Sequence, residues 1–481
     1  MRLMPILKIL GCLLMLFSVA MLSPILISLI YHDPDFDHFL FCFGLTFLSG
    51  LILWGIFRDQ YQELNVRDGF LLVVLCWVVL SIFGSIPFLL ESSQHLTIGG
   101  ALFETMSGLT STGVTLISNL DSLPHSLLYY RQQLQFLGGM GIIVLAVAVL
   151  PLLGVGGLQL YNKEISGPVE ERLTPRIAQT ARALWVIYCG LAVLCAFCYW
   201  IAGMSIFDAI CESFSTVSTG GFTIHDASFA YYHNHLIEVI SIIFMTLGAV
   251  NFGVHFHCLI QRKISCYFQN TEFKTYMFIL GGSALIAMGV LLLAGNPQFY
   301  NNVFFDSLFS VVSVSTTTGF TTAKIQHWPA FLSVLFLSLA LIGGCAGSTA
   351  GGLKIIRFIV LKKQAIREAK RLIHPNIIYP IKIGHPISYE ILQSIWGFTV
   401  VYIGSLFILT FILVGMGLDL PTAISSVITC ISSTGAGLTP LLKNFSMMSD
   451  PKLYVFTFTM LLGRLEVFTV LLLFVPDFWR S

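Results

Sequence analysis

Charge is scarce in this 481-residue chain: Asp, Glu, Lys and Arg make up 10% of it, where a soluble domain carries about 25%. That deficit excludes a soluble globular protein and a disordered chain, and the net charge of +1 excludes a basic nucleic-acid binder. Paired cysteine spacing is missing too. The 11 Cys are scattered through apolar runs, as at Cys12, Cys76, Cys189 and Cys345, so they read as small buried hydrophobes and no disulfide framework is implied. Cys195 and Cys198 have C-x-x-C spacing but lie inside such a run, and they read the same way. No H-E-x-x-H or nucleophile–base set occurs, and His255 and His257 have no acidic or Cys partner nearby in sequence. An intramembrane enzyme and a metal centre are therefore not indicated, and no cofactor is expected.

Apolar length is what the chain has. A stretch of about 18 or more uncharged apolar residues spans the hydrocarbon core as a helix. Such stretches fall near residues 9–30, 39–57, 69–90, 132–153, 183–204, 239–261, 275–295, 328–350 and 391–416, with a tenth at 453–476 if Arg464 and Glu466 are tolerated in it. The first is longer than the core of a signal peptide and lacks a small-residue cleavage site, so it reads as a span. With the N-terminus inside, ten crossings place only Arg131, Lys324, Lys443 and Lys452 among the outer basic residues, and twenty Lys and Arg on the inner side. The outer side carries the acidic excess. Glu104, Glu212 and Asp306 are expected at an outer mouth, where they raise the local cation concentration.

Four outer loops share one segment, FETMSGLTSTGVT from Phe103, ICESFSTVSTGGFT from Ile210, FSVVSVSTTTGFT from Phe309 and SSVITCISSTGAG from Ser425. Aligned on Ser/Thr-Thr-Gly, their glycines are Gly113, Gly220, Gly319 and Gly435, which lie 107, 99 and 116 residues apart. About ten apolar and small residues precede each glycine, too few to cross and too apolar for a solvated loop. That pattern predicts a re-entrant helix followed by non-helical backbone, which is tolerated at membrane depth only where protein buries it or it lines a watery cavity. Each unit is span, half-helix, strand and span, so all four share one orientation and can close around one axis. Backbone carbonyls and uncharged hydroxyls there would replace a cation's hydration shell. Helix C-terminal ends aimed at the centre would favour a cation over an anion. The expected filter is Thr110, Ser111, Thr112 and Gly113; Val217, Ser218, Thr219 and Gly220; Thr316, Thr317, Thr318 and Gly319; and Ser432, Ser433, Thr434 and Gly435.

These segments, the run Leu137–Gly141 through Leu150–Gly157, and Gly343-Gly-Cys-Ala-Gly-Ser-Thr-Ala-Gly-Gly-Leu-Lys354 resemble the superfamily of Trk, Ktr and HKT potassium transporters, most closely its TrkH branch, along essentially the whole chain. The fold expected is an all-α integral membrane protein with two N-terminal transmembrane helices (1–68) and four parallel helix–pore-loop–helix repeats (69–167, 168–267, 268–375 and 376–481) in a pseudo-fourfold ring around one pore. The resemblance implies potassium selectivity, with potassium held at the filter residues, a homodimer, and a cytosolic nucleotide-binding regulatory ring of the TrkA type. It also implies a bacterial inner membrane location with both termini cytoplasmic. Gly220 is followed by a further glycine, Gly221, which departs from the pattern of the other three segments.

Trp328 to Ile373 would be about 69 Å as one helix at 1.5 Å per residue, more than twice the hydrocarbon core. Five glycines between residues 343 and 352 would cost such a helix about 4–5 kcal/mol relative to alanine, so an interruption is expected there. Gly343, Gly344, Gly347, Ser348, Thr349, Gly351 and Gly352 read either as a gating loop below the filter, which the resemblance favours, or as a seam for close helix packing. Arg464, in the last span, reads either as an electrostatic barrier to cation exit or as a strut bonding the carbonyls of the broken helix. The basic amphipathic stretch Lys354–Arg371 reads as an interfacial helix on anionic lipid or as a docking surface for a regulatory protein. A sodium- or proton-coupled symporter is the alternative function; that class often has inverted repeats and midplane carboxylates.

Overall fold

The structure, a computed structural model, describes residues 3–59, 65–91, 94–144, 173–295, 302–323, 325–375, 380–383, 385–435 and 448–480. The predicted run Leu150–Gly157 and the end of the fourth segment, from Ala436, lie outside them. Among the described residues the chain is helical apart from one two-residue pairing, Lys382–Ile383 with His385–Pro386. Phe278, Leu293 and Phe411 are at least four-fifths exposed on the outward faces of their helices, while most of the buried positions around the four segments are Ser, Thr and Gly. This inside-out polarity suits a bundle whose solvent is lipid.

Among the described residues, six helices or bent helix runs are long and apolar enough to cross a membrane: Leu3–Tyr31, Phe36–Phe57, Arg67–Leu90, Ala181–Ile201, Thr271–Ala294 and Tyr389–Gly415. Two pairs pass the same test only as bent spans. His235–Ala249 meets Phe252–Gln261 at 97°, and Asp450–Arg464 meets Val467–Phe474 at 117°. The single spans expected at 239–261 and 453–476 are therefore corrected to broken ones. The first break is held by Asn251, whose side chain accepts the Gly253 N–H at 2.8 Å and caps the second helix. At the second break, Glu466 adopts a φ of +59°. It shares no helix with Arg464, where the sequence placed both in one span, and Arg357 Nη2 donates to both its carboxylate oxygens at 2.8 and 2.9 Å. The remaining two expected crossings differ in form: His125–Val144 carries Arg131 and three glutamines, and Ala330–Ile342 stops at Gly343.

Four short helices are set inside this bundle: Ile98–Leu109, Ile206–Val217, Val303–Ser315 and Leu420–Ile431. Each starts at a side chain that accepts a first-turn N–H: Thr97, Ser205, Asn302 and Asp419. Such caps are each worth about 1 kcal/mol. The first short helix packs on Val66–Gly84, His125–Val144 and Asp450–Arg464, and the second on His125–Val144, Leu173–Ile201 and His235–Ala249. The third packs on His235–Ala249, Thr271–Ala294 and Ala330–Ile342, and the fourth on Ala330–Ile342, Tyr389–Gly415 and Asp450–Arg464.

Candidate functional site

All four short helices end in the same way. The residues after them, Thr110, Ser218, Thr316 and Ser432, close the last turn. Next come Ser111, Thr219, Thr317 and Ser433, with φ between +50° and +59°. Each donates its N–H to the carbonyl three residues back, to Gly108, Thr216, Val314 and Cys430. The following N–H, from Thr112, Gly220, Thr318 and Thr434, reaches the carbonyl five residues back at 2.8–2.9 Å. This is a Schellman ending, whose left-handed position is usually glycine. Ser or Thr there costs about 1–2 kcal/mol in backbone strain, so the hydroxyl has to be worth keeping.

This geometry shifts the register of the second segment by one residue. Gly221, at φ +85°, and not Gly220, matches Gly113 at +79° and Gly319 at +87°. Gly220 takes the place of Thr112, Thr318 and Thr434. Val217 matches Leu109 and is the last helical residue, so the second set becomes Ser218, Thr219, Gly220 and Gly221. The alignment on Ser/Thr-Thr-Gly missed Gly221 because the Gly220-Gly221 doublet offers two registers.

The segments lie against one another. A Cβ placed on Gly113 would fall 2.0 Å from the Gly220 carbonyl oxygen, and one on Gly221 would fall 1.9 Å from that of Thr318 and 3.4 Å from Gly435 Cα. In three of them the hydroxyls pair within the strand, Thr110 with Thr112, Thr316 with Thr318 and Ser432 with Thr434, at 2.7–2.9 Å.

The expected mouth carboxylates are corrected by their burial. Glu104, Glu212 and Asp306 are 0%, 1% and 4% exposed. Glu104 accepts from Thr115 Oγ1, the Leu116 N–H and Arg131 Nε at 2.8–3.0 Å, and Glu212 accepts the Ile224 N–H at 3.0 Å. Asp306 accepts the Asn302 N–H at 3.1 Å. Two of them brace the backbone just past the glycines and the third closes the start of its helix. Arg131 completes the brace, with its guanidinium 4.4 Å from the Phe222 ring and a bond to the Thr223 carbonyl at 3.2 Å. Removing one partner of a buried pair costs about 3–5 kcal/mol. Arg131→Ala is expected to lose that much stability, read as a lower melting temperature in detergent, whereas Arg182→Ala should lose little. In the loop beyond the second segment, burial pulls the His225 pKa down, but hydrogen bonds to Asp208 and Asp121 outweigh it and leave it raised.

The glycine-rich stretch is interrupted as expected. The helix ends at Ile342 and restarts at Ile355, and the Leu353 and Lys354 N–H groups return to the Leu341 and Ile342 carbonyls, closing the intervening residues into a loop. Gly343, Gly344, Gly347 and Gly352 shape this loop, and Ser348 donates to the Cys345 carbonyl. The loop uses the free carbonyls of the break in the preceding repeat: the Cys345 and Thr349 N–H groups donate to Ala249 and Gly248 at 2.9 and 3.2 Å. Glu272 holds the loop from behind, accepting the Ala346 and Ile356 N–H groups.

The left-handed hydroxyls meet this loop. Thr219 bonds Thr349 at 3.1 Å, and Thr317 accepts the Gly351 N–H at 2.8 Å. Gly351 presses so closely on the fourth segment that a Cβ there would fall 1.9 Å from the Ser432 carbonyl oxygen. Arg464 reaches the first segment: it donates to Ser111 Oγ at 3.2 Å, to the Gly138 carbonyl at 3.4 Å and to the Thr349 carbonyl at 2.8 Å. The loop and Arg464 together touch all four segments. Bonding of Thr349 is what the strut reading of Arg464 requires; Gly138 was visible in the sequence only as part of the run Leu137–Gly141, and Glu272 had no signal.

An apolar helical bundle with four uncharged, inward-set Ser/Thr/Gly segments at the ends of buried half-helices defines a multi-pass membrane transport protein. The TrkH family profile, described as a cation transport protein, matches residues 38–481, and the chain belongs to that family. It is 46% identical over 483 residues to the Trk system potassium uptake protein TrkH of Salmonella typhimurium, covering 98% of this chain and 99% of that one. It is 38% identical to TrkG of Escherichia coli K12, covering 98% and 97%. The crystal structure of the potassium transporter TrkH from Vibrio parahaemolyticus is similar with a TM-score of 0.93 at 42% identity, covering 100% of each chain.

Proposed function

We propose that this chain takes up potassium through a channel-like pore lined by Thr110–Gly113, Ser218–Gly221, Thr316–Gly319 and Ser432–Gly435. The observation that carries this reading is the convergence of four matching Schellman endings at the negative ends of buried half-helices. The packing of Asp450–Arg464 back onto the first short helix supports a closed pseudo-fourfold arrangement of four parallel repeats behind two N-terminal spans, at 1–68, 69–167, 168–267, 268–375 and 376–481. Potassium is the cation in the relatives' names.

The loop 343–352 and Arg464 act as the gate, bonded to the Ser111, Thr219 and Thr317 hydroxyls when closed. Its helix Ile355–Ile373 ties to Glu466 through Arg357, so a pull on that helix reaches the loop. A cytosolic nucleotide-binding ring of the TrkA type supplies that pull, and the word "system" in the relatives' names supports a further component. A homodimer in the bacterial inner membrane with both termini cytoplasmic completes the reading.

Potassium flux into reconstituted vesicles tests the function. Passive flux down an imposed potassium gradient, with neither sodium nor a proton gradient present, is the expected result. A strict requirement for either ion would overturn the channel reading in favour of a symporter.

A further inference from the structure

The second segment lacks the hydroxyl that the other three carry at Thr112, Thr318 and Thr434, and its backbone does not require the glycine that stands there. Gly220 is outside the left-handed region. The three atoms nearest to a Cβ built on it all belong to the side chain of Gln135, at 2.4, 2.4 and 2.9 Å. Gln135 comes from His125–Val144, the helix that links the first segment to the second repeat. Glycine is present at 220 because Gln135 fills the space.

Gln135 also bonds this strand directly. Its Nε2 donates to the Gly220 carbonyl at 2.7 Å, and its Oε1 accepts from Ser215 Oγ at 2.7 Å and from the Phe222 N–H at 3.1 Å. In the first and third segments the serine matching Ser215 bonds its own strand instead: Ser107 reaches the Val114 carbonyl and Ser313 the Phe320 carbonyl. Gln132, three residues earlier on the same helix, takes the Phe222 carbonyl at 3.0 Å. The second strand is thus held by the neighbouring helix. Gln135 stands three residues before Gly138, which abuts the Leu109 carbonyl; three residues before the glycines that abut Val217 and Ile431, Gly248 and Gly463, the chain carries Met245 and Met460, both fully buried. A thioether offers no N–H donor.

We infer that Gln135 is a positioning residue for cation discrimination: its amide fixes the direction of the Gly220 carbonyl in the one segment that lacks the Thr hydroxyl which, in the other three, ties the strand to the hydroxyl two residues before it. This rests on the reading of the four segments as a filter. Discrimination depends on where carbonyl oxygens stand and how freely they move, so a carbonyl fixed by a donor differs from a loose one.

The experiment compares potassium and sodium flux through purified variants in vesicles. Gln135→Glu keeps the size and the acceptors but removes the donor; it is expected to lower the potassium-to-sodium ratio by about fivefold to tenfold, the worth of one buried hydrogen bond. Gln135→Ala should lower it similarly, and Gln135→Ala with Gly220→Thr, which rebuilds the pattern of the other segments, should restore most of it. A merely structural role for Gln135 would not predict that rescue. A wild-type ratio in folded Gln135→Glu, or no recovery in the double variant, overturns the inference. Ser433→Ala in the same assay reports on the filter itself: if it alters the ratio while Gln135→Glu does not, only the role of Gln135 fails.

Discussion

Gly319→Ala is expected to abolish potassium flux while leaving the protein folded. Gly319 sits at φ +87°, and a Cβ there would lie 2.4 Å from Gly435 Cα and 2.6 Å from Gly435 N and C. Those are backbone atoms of another segment, which cannot turn aside as a side chain does. The left-handed backbone adds about 1–2 kcal/mol of strain for alanine, and relief requires the third and fourth strands to separate. Both carry carbonyls that the proposed pathway needs in fixed places, and loss of fixed geometry removes the exchange of water for protein oxygens. Gly281→Ala is the control, since a Cβ there meets nothing within 4 Å. Uptake of a potassium tracer by vesicles, with melting temperature measured alongside, checks the pair. Normal flux through Gly319→Ala would remove the third segment from the pathway.

Shortening the loop between Gly343 and Gly352 is the second large effect, in the opposite direction. It deletes the bonds from Thr349 and Gly351 to Thr219 and Thr317, and the close contact of Gly351 with Ser432. If the loop blocks the pathway, flux rises severalfold in the absence of any regulatory partner. A packing seam predicts a lower melting temperature and no gain in flux. Arg464→Ala is expected to raise flux as well, but less than additively with the shortened loop, because its bond to the Thr349 carbonyl belongs to the same network. A fully additive pair of effects would separate Arg464 from the loop.

The four-segment plan was legible because it repeats, and because apolar half-helices followed by Ser, Thr and Gly have few other uses in a membrane. The register of the second segment was not. It is set by Schellman bonds and by Gln135, which lies 85 positions before Gly220. Likewise the glycine-rich break announced itself through composition, whereas the breaks after Ala249 and Arg464 carry no glycine run. Distant groups hold them: the Cys345 and Thr349 N–H groups take the freed carbonyls of Ala249 and Gly248 at the first, and Arg357 pairs with the Glu466 side chain at the second. Glu104 and Glu212 look from sequence like solvated acids. Only the folded-back strands, whose N–H groups they accept, reveal them as internal braces.

The four segments occur once each in a single polypeptide, and this has a consequence for how such a site can change. In an assembly of identical subunits every substitution appears in each wall simultaneously and must be tolerated in all of them. Here one wall can lose a hydroxyl, as at Gly220, and a single glutamine on the adjoining helix makes good the loss. Lopsidedness is then available as raw material: each wall can be adjusted alone, and the permeation path need not have the symmetry from which its plan is drawn.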